Sequence, residues 1–159
     1  MMRNVTIIQD ATCALLYEDG VCTQILNPGK HVHWKLPWLR RRRIAQVDLR
    51  ERSTTIKNQE ILTADKVAVR LSLLVYFKVV DPKAALHNVQ VYEERIYEDV
   101  QLAARRFLAT RTLDQILRDR NEISEAIRKD VETSAKSYGV EIHRADVKDL
   151  VFPGNLREI

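Results

Sequence analysis

The stretch Asp65-Lys66-Val67-Ala68-Val69-Arg70-Leu71-Ser72-Leu73-Leu74-Val75-Tyr76-Phe77-Lys78-Val79-Val80-Asp81 decides the fold. Val67, Val69, Leu71, Leu73, Val75, Phe77 and Val79 recur at period two, and Arg70, Ser72, Tyr76 and Lys78 fill the positions between them. In an extended chain the first set points to one side and the second to the other, the mark of a half-buried antiparallel strand. It is about twice the usual strand length of roughly five or six residues. The reading is therefore a sheet spine that pairs with several shorter strands. Asp81-Pro82 ends it, because proline has no backbone donor and restricts the residue before it.

Upstream, Val5 to Gln9, Ala11 to Glu18 and Val21 to Leu26 read as short strands, the last two joined by an Asp19-Gly20 hairpin turn. That turn sets Cys22 opposite Tyr17 and leaves Cys13 about 13 Å along the strand, too far for a disulfide. With no other cysteine, the chain reads as reduced and cytosol-facing. Asn27-Pro28-Gly29 is a turn with glycine at the positive-φ position. His31 to Trp34, Ile44 to Arg50 and Thr54 to Leu62 continue in extended style, so the first eighty residues are mainly β.

After Pro82 the period changes. Lys83 to Val89 suits a helical turn, and Val91 to Thr110 a longer helix with Ile96, Val100, Ala103, Ala104 and Phe107 as its apolar stripe. Thr112-Leu113-Asp114-Gln115 is a capping box that opens a short helix. A third long helix spans Asn121 to Tyr138, buries Ile123, Ile127, Val131 and Tyr138, and stops at Gly139. Val140 to Leu150 alternates again as a final strand. The predicted fold is α+β, an antiparallel or mixed sheet with helices packed on one face, within a single domain over 1–159. At 159 residues, 45% hydrophobic, the chain can bury a real core, while no apolar run approaches the roughly 20 residues that span a bilayer.

Charge is uneven. Residues 30–52 hold eight basic residues against two acidic ones, whereas the whole chain nets only +4, so the remainder is negative. Within that stretch Trp34, Leu36, Trp38 and Leu39 stand beside Arg40, Arg41, Arg42 and Arg43. Rings at headgroup depth and guanidinium groups against anionic lipid suit a membrane contact, each base contributing about 1 kcal/mol near the surface. Two tryptophans capping a sheet end beside a solvated edge fit the same residues. A lone arginine run without an aromatic platform or recognition helix gives no nucleic-acid reading. His31 and His33 share a strand face, but no third and fourth ligand stands at zinc spacing, so no metal or other cofactor is expected. Neither a nucleophile elbow, a His-Glu-x-x-His helix nor a phosphate-cradling glycine loop is present, and catalysis is not expected. On the long helix, Arg95, Leu102, Arg105 and Leu108 flank the core stripe and are candidates for a contact between copies; a stripe that is simply wide is the competing reading.

Taken in order, Asn27-Pro28-Gly29, Val47-Asp48-Leu49-Arg50, Gln59 to Asp65, Val75 to Pro82, Thr112 to Leu117, Arg120 to Ile123, Tyr138-Gly139-Val140 and Val147 to Gly154 resemble the SPFH or Band 7 domain, most closely its stomatin or slipin branch. The series is collinear over nearly the whole chain. The resemblance implies a non-enzymatic scaffold that self-associates at the cytosolic side of a membrane, organises microdomains, and serves clients such as membrane proteases or channels. It also implies an apolar anchor before the domain and a coiled coil after it. Only Met1 to Asn4 precede the first strand and the sequence ends at Ile159, so it reads as the family's core domain. The alternative is a soluble adaptor of a protein partner with no lipid contact.

Overall fold

In the computed structural model, which describes residues 2–35 and 41–152, the spine is β7 (Ala68–Val79), central in an antiparallel sheet between β6 (Arg52–Leu62) and β8 (Val140–Val151). Val69, Leu71, Leu73, Val75, Phe77 and Val79 are all buried, as the alternation requires, whereas Val67, read as the first of that row, precedes β7 and is only half-buried. Each such side chain contributes about 1.5–3 kcal/mol on leaving water. Its partners are two long strands rather than several short ones: 11 and 12 residues against its own 12.

Both partners carry bulges where β7 runs straight. In β6, Lys57 and Asn58 together face Ser72; Asn58 takes φ +52 and its N–H donates to Ser72 Oγ at 3.0 Å. That bond explains a buried serine on the polar side of the spine. In β8 the extra residues are His143 and Lys148. Each insertion flips the side-chain phase, so the buried positions run Val140, Ile142, then Ala145, then Leu150. Strict alternation along Val140 to Leu150, as read from sequence, is corrected by these two bulges.

Among the described residues four helices complete this unit: α1 (Pro82–His87), α2 (Tyr92–Ala109), α3 (Leu113–Arg118) and α4 (Arg120–Lys136). Asp81, Thr112 and Asp119 cap α1, α3 and α4, and the Thr112/Gln115 capping box is fully formed. α2 and α4 pack on each other over β6 and β8. Ile96, Val100, Ala104 and Leu108 form one row at steps of four, buried with Ile123, Ile127, Val131 and Ala135 of α4. Between these helices Asp99 Oδ2 accepts from Tyr138 Oη and Ser134 Oγ, both at 2.8 Å, while Arg95 Nε donates to Oδ1 at 3.2 Å. Burial, then the bond to Asp99, pushes the Tyr138 hydroxyl far above its usual range, so it stays a donor.

Two sequence motifs meet beside α3. Asp65 Oδ1 accepts from Thr63 Oγ1 and from Leu113 N, and Ala64 N donates to Arg111 O. The Thr63 hydroxyl is the main group that holds the Asp65 carboxyl below its ordinary range.

The chain divides between Arg50 and Glu51 into two compact units. The first contains β1 (Met2–Ile8) paired antiparallel with β4 (Gly29–Lys35), and a three-stranded sheet in the order β3 (Val21–Leu26), β2 (Thr12–Glu18), β5 (Arg42–Asp48). Asp19 (φ +51) and Gly20 (φ +84) make the two-residue β2–β3 turn, and Tyr17 pairs with Cys22. Both cysteines are free. Ile8, Ala14, Leu16 and Leu26 form a buried cluster against which Ile44 packs.

Candidate functional site

Directly opposed residues of an antiparallel pair share a face. In the β1–β4 ribbon Arg3 faces Trp34, Val5 faces Val32 and Ile7 faces Lys30. All six lie on one side, and all are exposed: Ile7 by 68%, Trp34 by 56%, Val5 by 46% and Val32 by 40%. The opposite side holds Thr6, Ile8, His31 and His33, of which Ile8 reaches the core cluster. The ribbon therefore inverts the usual arrangement, with large apolar groups turned to solvent between a base at each end. Arg3 and Lys30 lie four residues apart along the strands, about 13 Å.

The arginine run divides by role. Asp19 N donates to Arg41 O at 2.8 Å and Arg41 N to Asp19 Oδ1 at 3.0 Å, which pins Arg41 to the hairpin turn. Arg42 forms an ion pair with Glu18 at 3.2 Å and donates from Nη1 to Trp34 O at 3.3 Å, tying β5 to the end of β4. Arg43 lies 4.6 Å over the Tyr17 ring, a cation–π contact. Burial raises the Tyr17 hydroxyl. Arg41 alone of the three presents a side chain with no partner among the described residues. Leu36, Trp38, Leu39 and Arg40 lie outside the described residues.

Of the residues expected at a contact between copies, Leu108 is fully buried and joins the core row, because it stands three full steps of four from Ile96. Phe107 sits one position round, half-buried, its ring covered by the Arg111 guanidinium at 4.7 Å. Arg95 is held by Asp99. Leu102, 49% exposed, and Arg105 remain on the surface. Sequence reading missed Arg3, Val5, Ile7, Lys30 and Val32. Their alternation is visible in Arg3-Asn4-Val5-Thr6-Ile7, but the pairing that unites them with Trp34 is not local.

Among the described residues no three His, Cys, Asp or Glu side chains converge as a metal site, and no helix is long and apolar enough to cross a membrane.

Residues 6–159 match the family described as SPFH domain / Band 7 family. A stomatin homolog of Pyrococcus horikoshii is 25% identical over 154 residues, covering 97% of this chain and 56% of that protein. Stomatin-1 of Caenorhabditis elegans is 27% identical over 96% of this chain and 46% of its own. An uncharacterized protein of Archaeoglobus fulgidus is 24% identical over the entire chain and 62% of its own length. The chain thus spans about half to three-fifths of these relatives. The family match over nearly all residues, with stomatins among the relatives, agrees with the α+β architecture described above, and the chain belongs to the SPFH domain / Band 7 family, on its stomatin side.

Proposed function

We propose that the two units act together as one membrane-associated scaffold domain. It lies against an anionic, cytosolic leaflet through the outer face of β1–β4 and the adjoining Trp34 to Arg43 segment, including Leu36, Trp38, Leu39 and Arg40. It self-associates, so that many such faces share one plane, and it organises membrane proteins, with a protease or channel as the client class. Avidity turns weak single contacts into firm attachment. No catalytic step, cofactor or nucleic acid enters this reading. The observation that supports it most is the exposed row Val5, Ile7, Val32 and Trp34 between Arg3 and Lys30. A solvent-facing apolar patch rimmed by bases is costly in water and complementary to an interface of acyl chains and anionic headgroups.

Flotation of the chain with vesicles of phosphatidylcholine, with and without phosphatidylserine, at rising salt tests it. Recovery is expected with the anionic vesicles, falling as salt screens Arg3, Lys30 and Arg41 but not vanishing, because the apolar part is insensitive to ionic strength. Failure to float under any of these conditions favours the soluble-adaptor reading.

A further inference from the structure

α2 carries an exposed stripe that its own chain leaves unsatisfied. Glu94, Glu98, Leu102, Arg105 and Ala109 follow at steps of four, four, three and four, so they fall on one side of the helix. All five are exposed, Leu102 by 49%. Every other acidic residue on α2 and α4 is paired: Glu93 with Arg52, Asp99 with Arg95, Glu122 with Arg111, Glu125 and Glu132 with Arg128, and Asp130 with Arg106. Glu94, Glu98 and Arg105 have no ion-pair partner among the described residues. Glu94 and Glu98 are moreover a like-charge pair four apart, which weakens a helix unless a cation arrives. Compensation of the helix dipole accounts for Glu94 in the first turn. It does not account for Leu102.

The stripe is complementary to itself reversed. Its acids lie in the N-terminal half, its free base in the C-terminal half, and its apolar group at the middle. We infer that this face of α2 is a two-fold, antiparallel contact with a second copy of the chain, centred between Gln101 and Leu102. That centre puts Glu98 against the partner's Arg105 and, by symmetry, Arg105 against the partner's Glu98, each about 5 Å along the helix from the axis at 1.5 Å per residue. The two Leu102 side chains meet near the axis, and small Ala109 leaves room for Glu94. An isologous contact closes at two copies, so this one supplies the pairing step of the proposed self-association and rests on that reading, and any larger assembly needs a second surface.

Sedimentation velocity of the full chain over a wide concentration range, with four variants, decides it. Wild type is expected to be a reversible dimer or larger even-numbered species. Glu98→Arg and Arg105→Glu should each weaken association at least tenfold, and the double variant E98R/R105E should recover most of it, which a merely structural role for either residue would not produce. Leu102→Asp should leave a folded monomer, its fold checked by circular dichroism. Because a residue near a two-fold axis meets its own copy, Leu102→Cys in a Cys22→Ser background should form a covalent dimer on mild oxidation, and Lys129→Cys on α4 should not. Wild type that stays monomeric throughout overturns both this contact and self-association of the chain. A wild-type oligomer that survives Leu102→Asp, or equal cross-linking at both cysteines, overturns the α2 contact alone.

Discussion

Replacing Gly139 with alanine is expected to lower the unfolding free energy by about 2–5 kcal/mol, against roughly 1–2 kcal/mol for Gly20→Ala. Both glycines have positive φ, +71 and +84, and an L-residue pays for that geometry at either site. Their surroundings differ. Nothing lies within 4 Å of a Cβ built on Gly20, whereas one on Gly139 overlaps the Asp81 carbonyl oxygen and comes within 2.8 Å of Asp81 Cβ. The obstacle is largely backbone, and it is held in place: Val80 N and Asp81 N both donate to Gly139 O, at 2.8 and 3.0 Å. Gly139 is thus where the exit of β7 is clamped to the link between α4 and β8, and the added methyl must break the clamp or displace the α1 cap. Urea unfolding of both variants measures the difference. Equal losses would mean that φ alone governs and that the approach to Asp81 is slack.

The second large effect concerns the ribbon. Ile7→Ser combined with Trp34→Ser should reduce partitioning onto phosphatidylserine vesicles by roughly 30- to 150-fold, the equivalent of about 2–3 kcal/mol. Ile7 and Trp34 are the most exposed apolar side chains of the face, so their removal costs little folding energy. Arg3→Ala with Lys30→Ala should act differently, weakening binding at low salt by about 1 kcal/mol per base and leaving the high-salt residue of binding nearly intact. A comparison with Trp38→Ala, Arg40→Ala, Arg41→Ala separates the face from the adjoining segment. If only the latter variant loses binding, the contact is made by that segment and not by the ribbon.

How much of this was readable in advance follows from the range of the interactions. The alternation of Val69 to Val79, the Asp19-Gly20 turn with its Tyr17–Cys22 register, and the Thr112–Gln115 capping box are set within a few residues, and the structure carries each as read. Position 143 shows the opposite case. Nothing in Ile142-His143-Arg144 announces a bulge, because the bulge exists only relative to Phe77 and Tyr76 across the strand pair. Asp99 appears in sequence as one more charge on a charged helix; its burial depends on Ser134 and Tyr138, supplied from more than thirty positions away. The choice of Leu108 over Phe107 for the core row turned on a rotation of one residue, which the position of α4 fixes. For the candidate site, Trp34 and the arginines drew attention through composition, yet Arg42 and Arg43 are spent on Glu18, the Trp34 carbonyl and the Tyr17 ring. Two of the four apolar side chains of the face, Val5 and Ile7, come from β1, whose partner strand lies on the far side of a hairpin.

The central claim, that the outer face of β1–β4 enters the lipid interface, is tested most directly by the fluorescence of Trp34 as sole tryptophan in a Trp38→Phe variant. On phosphatidylserine vesicles its emission should move to shorter wavelength and be quenched by lipids brominated high on the acyl chain. Emission that stays at the aqueous position and resists such quenching, with the protein fully bound, would contradict it.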